Sequence, residues 1–401
     1  MSGGASDILI AGGGIAGLTA ALAFAERGLP VRVFERAPAL EEVGAGLQLS
    51  PNATRLIDRL GLGPGLREIA VRPEAIALLD AGSLKEISHV PLGADAEARW
   101  RAPYLVAHRA DLQGLLLDAV RANPAIRLEL GASIEEFSDD GTGVTAAVVR
   151  DDKNEEASGA LLVGADGVWS RLRHLISPGE ACRFAGRVAW RTVIEPDSPA
   201  AAIFGGFAAR DRVSAFLHRD FHLVAYPLTR GRFNLVAVTR GREGRRGWSL
   251  PGGTSTLAGA MSGVDARLAA LVEAAAPWTM WPLFQVDARA RWHGGRVVLI
   301  GDAAHAMTPF AAQGAAMGIE DAMILARHVS SSDADIASAL AGYDAERRPR
   351  VNRVRKRGSF NRFVWHAWGP IALGRNVVLG LRPPRKLAGD FDWLYGWSPR
   401  D

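Results

Sequence analysis

The start of the chain combines two patterns of short, buried strands with one helical pattern. Residues 7–11 (DILIA) predict a strand that is buried on both faces, and the run from Ile15 to Gly28 has the spacing of a helix. Residues 31–35 (VRVFE) predict a second strand. A strand, a helix and a strand in this order are typical of a βαβ unit.

Two later segments continue this frame before the pattern changes. Residues 104–122 predict a strand that leads into a helix, and residues 160–167 (ALLVGADG) predict a buried strand that ends in a glycine turn. Residues 222–228 (HLVAYPL) and 232–240 (RFNLVAVTR) instead predict adjacent strands joined by a short turn. The residues at 241–259 are rich in Gly, Arg and Ser and predict a mobile loop.

The last part of the chain returns to the first pattern and then becomes helical. Residues 295–305 (GRVVLIGDAAH) predict a buried strand, and a helix follows from about 314 to 329. We therefore expect an α/β fold, with a Rossmann-like nucleotide-binding domain, an inserted antiparallel-sheet domain and a C-terminal helical region. The nucleotide-binding domain is expected to comprise residues 1–178, with interleaved segments at about 70–100, and 291–330; the sheet domain 179–290; and the helical region 331–401.

The composition and the charge narrow the possible classes of protein. Hydrophobic residues make up 48% of the 401 positions, which is a globular composition. The net charge is +4, but residues 346–362 contain eight basic residues and one acidic residue, so acidic residues exceed basic ones by three elsewhere. We interpret this segment as a solvated helix face; a nucleic-acid or other interaction surface is the alternative. Without a nucleic-acid motif, we expect no nucleic-acid partner.

Several kinds of site are not expected. Cys182 is the one cysteine, so the chain has no internal disulfide and no cysteine-based metal site. The histidines His293, His328 and His366 have no partners at metal-ligand spacing, and we expect no metal. No uncharged apolar run reaches membrane-spanning length, and the N-terminus has no basic segment typical of a secretory signal. These features predict a cytoplasmic protein without a membrane partner.

A glycine-rich motif links the first strand to the first helix. Gly12, Gly14 and Gly17 fit the pattern GxGxxG, and Ile15 and Ala16 begin the helix whose N-terminus would face phosphate groups. The acidic residue Glu35 follows about 20 positions later, where it could bind ribose hydroxyls. The motif predicts a dinucleotide site but does not separate NAD from FAD.

Three further polar residues occur at strand ends. Arg109 lies where a strand turns into a helix, and its guanidinium could contact a phosphate or a sugar oxygen. Asp166 lies in a glycine turn after a buried strand, and Asp302 follows the strand at 295–301. Ligands bind at the carboxyl ends of strands in open α/β sheets, so this position favours binding roles.

Taken in this order and spacing, the motifs resemble those of the class A flavoprotein aromatic hydroxylases, and the resemblance covers nearly the whole chain. It rests on the GxGxxG motif, Glu35 with Arg36, the GAGLQLSPN segment at 44–52, Arg109, and the DG and GD pairs at 166–167 and 301–302. Residues 187–191, residues 221–228 and the aromatic tail are most similar to the branch of salicylate hydroxylase, 3-hydroxybenzoate 6-hydroxylase and 6-hydroxynicotinate 3-monooxygenase.

The resemblance implies that FAD is the cofactor and that the nucleotide-binding domain is an FAD-binding domain. It implies that the glycine loop, Glu35 and Arg36 hold the ADP half, that Arg109 and Asp302 lie near the ribityl and phosphate groups, and that Asp166 serves a region shared with the pyridine nucleotide. The helix that begins at Gly314 and Ala315 would point its N-terminus at the flavin, where reduction places negative charge.

Residues for the substrate come from the predicted antiparallel sheet. His222 and Tyr226 are four residues apart, so a single strand would place both on one face. Relatives with a His and a Tyr at this spacing use them in the substrate pocket, which implies a base role for His222 and an orienting role for Tyr226. The same relatives carry a further His in the 44–52 segment, where this chain has Gln48, and the difference weakens a hydroxynicotinate assignment. The carbonyl of Pro309 is expected to help position the reactants, and Phe204 and Phe216 are expected to flank the ring.

The implied activity is hydroxylation of a small phenolic aromatic acid or a related ring, with NADH or NADPH and O2 as cosubstrates, in aromatic compound catabolism. NAD(P)H would reduce the flavin, and the reduced flavin would form a C4a-hydroperoxide that attacks the ring. A base of near-neutral pKa suits removal of the phenol proton. The alternatives are a related monooxygenase or epoxidase for a larger or non-phenolic substrate, and a redox-inactive flavin-binding protein. The oligomeric state is expected to be a monomer or a homodimer.

Overall fold

A computed structural model describes residues 7–40, 45–179, 182–242, 250–252, 255–331 and 335–399. The strands are β1 (Ile8–Ala11), β2 (Val31–Glu35), β3 (Gly46–Leu49), β4 (Ala70–Val71), β5 (Ala75–Asp80), β6 (Glu86–Pro91), β7 (Leu105–His108), β8 (Ile126–Leu130), β9 (Ala132–Asp139), β10 (Val144–Arg150), β11 (Lys153–Gly159), β12 (Leu161–Gly164), β13 (Arg183–Ile194), β14 (Val213–Leu217), β15 (Phe221–Pro227), β16 (Phe233–Arg240), β17 (Leu250–Gly252), β18 (Trp278–Gln285), β19 (His293–Gly294) and β20 (Val297–Leu299).

The helices are α1 (Ile15–Ala25), α2 (Pro51–Arg59), α3 (Gly63–Ile69), α4 (Gly93–Trp100), α5 (Arg109–Ala122), α6 (Arg171–Ile176), α7 (Pro199–Gly205), α8 (Ser255–Gly259), α9 (Ala266–Ala274), α10 (Asp302–His305), α11 (Gly314–Val329), α12 (Ile336–Trp365), α13 (Gly369–Leu381), α14 (Pro384–Gly389) and α15 (Asp392–Tyr395). Short 3-10 turns occur at Thr229–Gly231 and Pro309–Ala311.

A six-stranded sheet forms the nucleotide-binding part of the fold. Its order is β19-β20-β12-β1-β2-β8, and the neighbours are parallel except for β19 and β20. All four residues of β1 are buried, as expected for an inner strand of a parallel sheet covered on both faces. Helix α1 packs against α5 and α11, so the predicted βαβ unit at the N-terminus is present.

An eight-stranded sheet provides the second layer. Its order is β17-β18-β13-β16-β15-β14-β5-β6, and the pairs are antiparallel except for β14 and β5. The segment 75–91 supplies β5 and β6, so part of this sheet comes from within the first stretch of the chain. Together with the helices that follow residue 335, these sheets confirm the predicted α/β architecture.

The prediction of a loop at 241–259 was wrong for the residues that can be described there. Residues 250–252 form β17, whose backbone pairs with Trp278–Met280 of β18, and residues 255–259 form α8. Residues 243–249 and 253–254 lie outside the described residues. The strand depends on a partner almost 30 positions away, which local composition does not reveal.

The basic segment at 346–362 is only in part a solvated face. Arg347 is completely buried and donates to Glu320 at 2.5 Å and to Asp321 at 2.8 Å. Arg350 also pairs with Glu320. The solvated-face interpretation was therefore wrong for these two arginines, which bind α11, whereas Arg353, Lys356 and Arg362 are exposed. In the described part of the chain, no helix is long and apolar enough to cross a membrane.

Candidate active site

A continuous cavity of about 1540 Å³ lies where the carboxyl ends of the parallel strands meet the eight-stranded sheet. The loops after β1, β2, β12 and β20 form its floor, and residues of α12 and α13 contribute to its wall. The carboxyl edge of a parallel sheet is the usual position of a ligand in open α/β folds. All the predicted cofactor residues except Gly17 line this one cavity, together with Gln48, His222 and Tyr226.

The glycine loop adopts a conformation that explains its residue types. Gly12 has a φ of +109°, and a Cβ atom there would lie 2.5 Å from the carbonyl oxygen of Ala165. A Cβ atom on Gly17 would clash with the carbonyl oxygen of Gly12, so the helix packs directly on the loop. A Cβ atom on Gly14 would meet nothing within 4 Å, because this residue faces the cavity. The loop is thus a turn whose outer side is open to a ligand.

The side chain of Glu35 is held by backbone amides of the glycine loop and of the residues after β2. Its carboxylate accepts hydrogen bonds from the Gly13 amide at 2.6 Å and the Ala37 amide at 2.8 Å. Arg36 is exposed beside it, and Ile15 and Ala16 also line the cavity. Gln113, which the sequence did not point out, lines the same region and donates to the carbonyl of Gly13 at 2.9 Å.

Asp166 and Asp302 both line the cavity, but their carboxylates differ in hydrogen bonding and in exposure. One oxygen of Asp166 accepts the amides of Arg171 and Leu172 at 2.8 and 3.2 Å, while Oδ1 is buried without a partner. Burial raises the pKa of Asp166. Asp302 makes no side-chain hydrogen bond or ion pair with the described residues and is exposed at the cavity wall. Arg109 begins α5 and also lines the cavity.

The start of α11 faces the same space. Gly314 is open to the cavity, where an added Cβ atom would meet nothing within 4 Å, and Ala315 is half-buried beside it. The first amides of a helix have no partners within the helix and carry partial positive charge. The preceding Gln313 is fixed by Ser50 and Asn52 at 2.8 and 3.2 Å, so the end of the helix is held in a defined position.

These features fit FAD. Two open glycines, Gly14 and Gly314, line the same cavity as Asp302 and Asp166, and Oδ1 of Asp166 has no partner. A dinucleotide with a flavin ring requires such a combination: a tight turn near phosphates, hydroxyl acceptors, and amides near the ring. Within the described residues, no cluster of side chains is suited to a metal ion.

One face of the eight-stranded sheet covers the cavity. His222 and Tyr226 lie on β15 and both line the cavity, as the four-residue spacing predicts. The side chains alternate along each strand, so Val224 shares their face while Leu223 and Ala225 are in the core behind the sheet. Both predicted substrate residues therefore line the same cavity as the glycine loop and the start of α11.

His222 is paired with a second histidine. Its Nδ1 atom lies 3.3 Å from Nε2 of His366, and Nδ1 of His366 lies 2.8 Å from the carbonyl oxygen of Arg362. A carbonyl oxygen accepts only, so Nδ1 of His366 donates to it, and Nε2 of His366 then accepts from His222. This chain of bonds leaves Nε2 of His222 as an unprotonated acceptor.

The surroundings keep both histidines neutral. Burial lowers the pKa of His222 well below its usual value, and His366 and Arg187 lower it further. Burial also lowers the pKa of His366 to about 4, despite the opposing effect of the Arg362 carbonyl. His366 was missed because it lies 144 positions from His222 and has no local motif.

Three other predicted residues, Tyr226, Gln48 and Pro309, line the cavity, and Gln48 and Pro309 already accept a hydrogen bond there. Burial raises the pKa of Tyr226, and Arg191 partly offsets the effect, so the phenol group remains a donor at neutral pH. The side-chain oxygen of Gln48 accepts from the hydroxyl of Tyr104 at 2.7 Å. The carbonyl of Pro309 accepts the amide of Ala312 at 3.0 Å, so one of its lone pairs is used within the 3-10 turn.

The prediction that Phe204 and Phe216 flank the ring was wrong. Both are buried in the hydrophobic core behind the sheet, because Phe216 occupies the face of β14 opposite to Ala215 and Phe204 lies on α7. The aromatic residues that do line the cavity include Phe310 and Trp365, whose rings lie 5.2 and 4.9 Å from the ring of His222.

Comparisons with known proteins agree with this site. The FAD binding domain family matches residues 5–358. The chain is 34% identical to 3-hydroxybenzoate 6-hydroxylase 1 of Aquipseudomonas alcaligenes, over 98% of both chains. It is 32% identical to 6-hydroxynicotinate 3-monooxygenase of Bordetella bronchiseptica, over 88% of this chain and 90% of the relative. The structure of Klebsiella pneumoniae HpxO with FAD and uric acid matches with a TM-score of 0.83 and 25% identity, over 97% of this chain and 96% of that one.

The fold and the site define a flavin-dependent monooxygenase that acts on aromatic rings and uses FAD, NAD(P)H and O2. The chain belongs to the FAD binding domain family. The resemblance noted from the sequence is thereby confirmed, as is its implication of FAD as the cofactor.

Proposed function

We propose that this enzyme hydroxylates a small phenolic aromatic acid at a ring position activated by the phenolic oxygen. The observation that carries the proposal is the contact of His222 with His366, which leaves Nε2 of His222 as an acceptor in a cavity lined by both the glycine loop and the sheet. The choice of substrate class is supported by two relatives, which are named 3-hydroxybenzoate 6-hydroxylase 1 and 6-hydroxynicotinate 3-monooxygenase. We also propose a cytoplasmic location and a monomeric or homodimeric state.

The residues of this chain would activate the ring from the side of the sheet. His222 accepts the phenolic proton at Nε2, which increases the electron density of the ring. Tyr226 donates to the phenolic oxygen and orients it, and Gln48 and the Pro309 carbonyl border the same region of the cavity. Phe310 and Trp365 exclude water from the reacting atoms, which favours transfer of oxygen to the ring over its loss as hydrogen peroxide.

Bound FAD supplies the redox chemistry, because it takes two electrons from NAD(P)H and activates O2 for insertion of one oxygen atom. The overall reaction converts the ring C–H, NAD(P)H, O2 and a proton to the ring C–OH, NAD(P)+ and water. The proposed cofactor residues are those identified from the motifs: Gly12, Gly14, Ile15, Ala16, Gly17, Glu35, Arg36, Arg109, Asp166, Asp302, Gly314 and Ala315. NADH or NADPH would bind transiently near Asp166.

One observation favours a second candidate, in which a related monooxygenase acts on a larger substrate. The cavity extends from His222 to apolar residues of α13, such as Ile371 and Val378, which could contact the apolar part of a larger substrate. A panel of hydroxybenzoates, hydroxypyridines and bicyclic phenols distinguishes the two candidates. Product formation matched to NAD(P)H consumption for a monocyclic acid supports the first proposal. Coupled turnover of bicyclic compounds alone would replace it with the second.

A further inference from the structure

Arg191 is a cation in the cavity wall for which the described residues supply no counter-ion. It lies on β13 and lines the cavity, with its guanidinium carbon 5.6 Å from the centre of the Trp281 ring. Its Nε atom is buried without a hydrogen-bond partner. Among the described residues, no side chain or carbonyl forms an ion pair or a hydrogen bond with Arg191.

The charges around Arg191 leave its own charge unbalanced. Burial lowers the pKa of Arg191, Tyr226 has an opposing effect, and Arg109 lowers it further. None of these groups is a carboxylate, and an arginine side chain stays protonated in a protein. A buried cation without an anion is unfavourable unless a ligand or water compensates it, so such a group is expected at a binding site rather than in a structural role.

The position of Arg191 relates it directly to the proposed base. The strand register pairs Arg191 with Val236, and Val236 with Val224, which lies between His222 and Tyr226 on β15. Arg191 is therefore two strands away from that pair on the same face of the sheet. Two strand spacings amount to about 10 Å between backbones, and the side chains extend into the cavity between them. An aromatic ring with a polar group at each side fits between these anchors.

We propose that Arg191 is the subsite for the anionic group of the substrate, and that this group is a carboxylate. The planar guanidinium can donate two parallel hydrogen bonds to a carboxylate, a geometry that a neutral group does not match. This inference rests on the proposed function and adds to it, because it makes an anion a requirement for tight binding. The carboxylate would lie at Arg191 while the phenolic oxygen faces His222 and Tyr226.

Arg183 provides a control on the same strand. It lies at the start of β13, is exposed and does not line the cavity. Removing its charge therefore tests the general effect of losing an arginine from β13 without changing the proposed subsite or the surroundings of His222.

The test measures the binding of the three monohydroxybenzoates and their amides to the FAD-loaded wild type and to Arg191→Gln, Arg191→Lys and Arg183→Gln, from the change in flavin absorbance. For an acid that binds the wild type, Arg191→Gln should raise the Kd about 10- to 100-fold, the range expected for loss of a hydrogen-bonded charge. The Kd of the amides should change less than about threefold. Arg191→Lys should recover part of the affinity, and Arg183→Gln should resemble the wild type.

Three outcomes would overturn the subsite. The first is equal binding and hydroxylation of acids and amides by the wild type, which would leave the proposed function intact. The second is an equal loss of affinity for acids in Arg183→Gln and Arg191→Gln. The third is loss of FAD from Arg191→Gln alone, which would make Arg191 a cofactor residue. If no compound is hydroxylated, the proposed function fails. The subsite is then tested separately with unsubstituted benzoate, which should bind the wild type but not Arg191→Gln.

Discussion

Nδ1 of His222 and Nε2 of His366 lie 3.3 Å apart, and this contact connects the substrate face of the sheet to the end of the longest helix. His366 follows the last residue of α12 and is anchored by the carbonyl of Arg362. The pairing fixes the tautomer of His222 and leaves its other nitrogen available for a substrate proton. His366, directly after α12, thereby determines which nitrogen of the proposed base is free to accept a proton in the cavity.

Replacing His222 by Ala should slow hydroxylation by about 10²- to 10⁴-fold, the usual contribution of a general base. FAD binding should be nearly unchanged, because His222 lies on the sheet and not in the glycine loop. Single-turnover product formation and flavin content measure the two effects. His218→Ala is the control, since His218 lies on the turn before β15 and does not line the cavity. Unchanged turnover in His222→Ala would remove the base role.

The pH dependence of activity should reflect the lowered pKa of His222. The neutral form is the active one, so activity should rise with pH through a value below 6.5 and then remain constant through neutral pH. In His366→Gln the loss of one group that lowers this pKa should move the rising limb to higher pH. Profiles of kcat/KM in both proteins check the shift. A uniform loss of activity at every pH would show that His366 has only a structural role.

Asp302→Ala should weaken FAD binding roughly 10- to 100-fold, because an unpaired carboxylate at the cavity wall is suited to accept flavin hydroxyl groups. Titration of the apoprotein with FAD gives the affinity. Asp211→Ala serves as the control, since the exposed Asp211 lies outside the cavity and has only a long contact of 3.6 Å with Arg212. Equal flavin affinity in the two variants would exclude Asp302 from the cofactor site.

Arg347→Met should lower the free energy of unfolding by about 3–5 kcal/mol, because it removes the arginine partner of the buried Asp321 carboxylate and leaves Glu320 with Arg350 as its arginine partner. Arg72→Met, which removes an exposed pair with Glu97, should cost less than about 1 kcal/mol. Urea denaturation of both variants provides the comparison. Similar small losses in the two proteins would mean that α12 does not depend on its buried arginine.

Local patterns were sufficient to predict the elements that form the proposed cofactor half of the site. The βαβ unit, the glycine loop and the helix that begins at Gly314 each follow from a few adjacent residues, and the structure places them around one cavity. The spacing of His222 and Tyr226 likewise depends only on the period of a strand.

The partners of distant residues could not be predicted in the same way. The proposed roles of His366 and Arg191 depend on neighbours that only the fold brings close to them. The acidic partners of Arg347 lie on α11, more than 20 positions away. Composition alone therefore suggested a solvated basic face. It also suggested a loop at 250–252, where β18 supplies the missing strand partner.

The most direct test of the central claim is the fate of oxygen in a reaction of the purified, FAD-loaded enzyme with a phenolic aromatic acid, NAD(P)H and ¹⁸O2. We expect one ¹⁸O atom in each hydroxylated product and nearly one product for each NAD(P)H consumed. Consumption of NAD(P)H with all the oxygen recovered as hydrogen peroxide, for every acid in the panel, would contradict it.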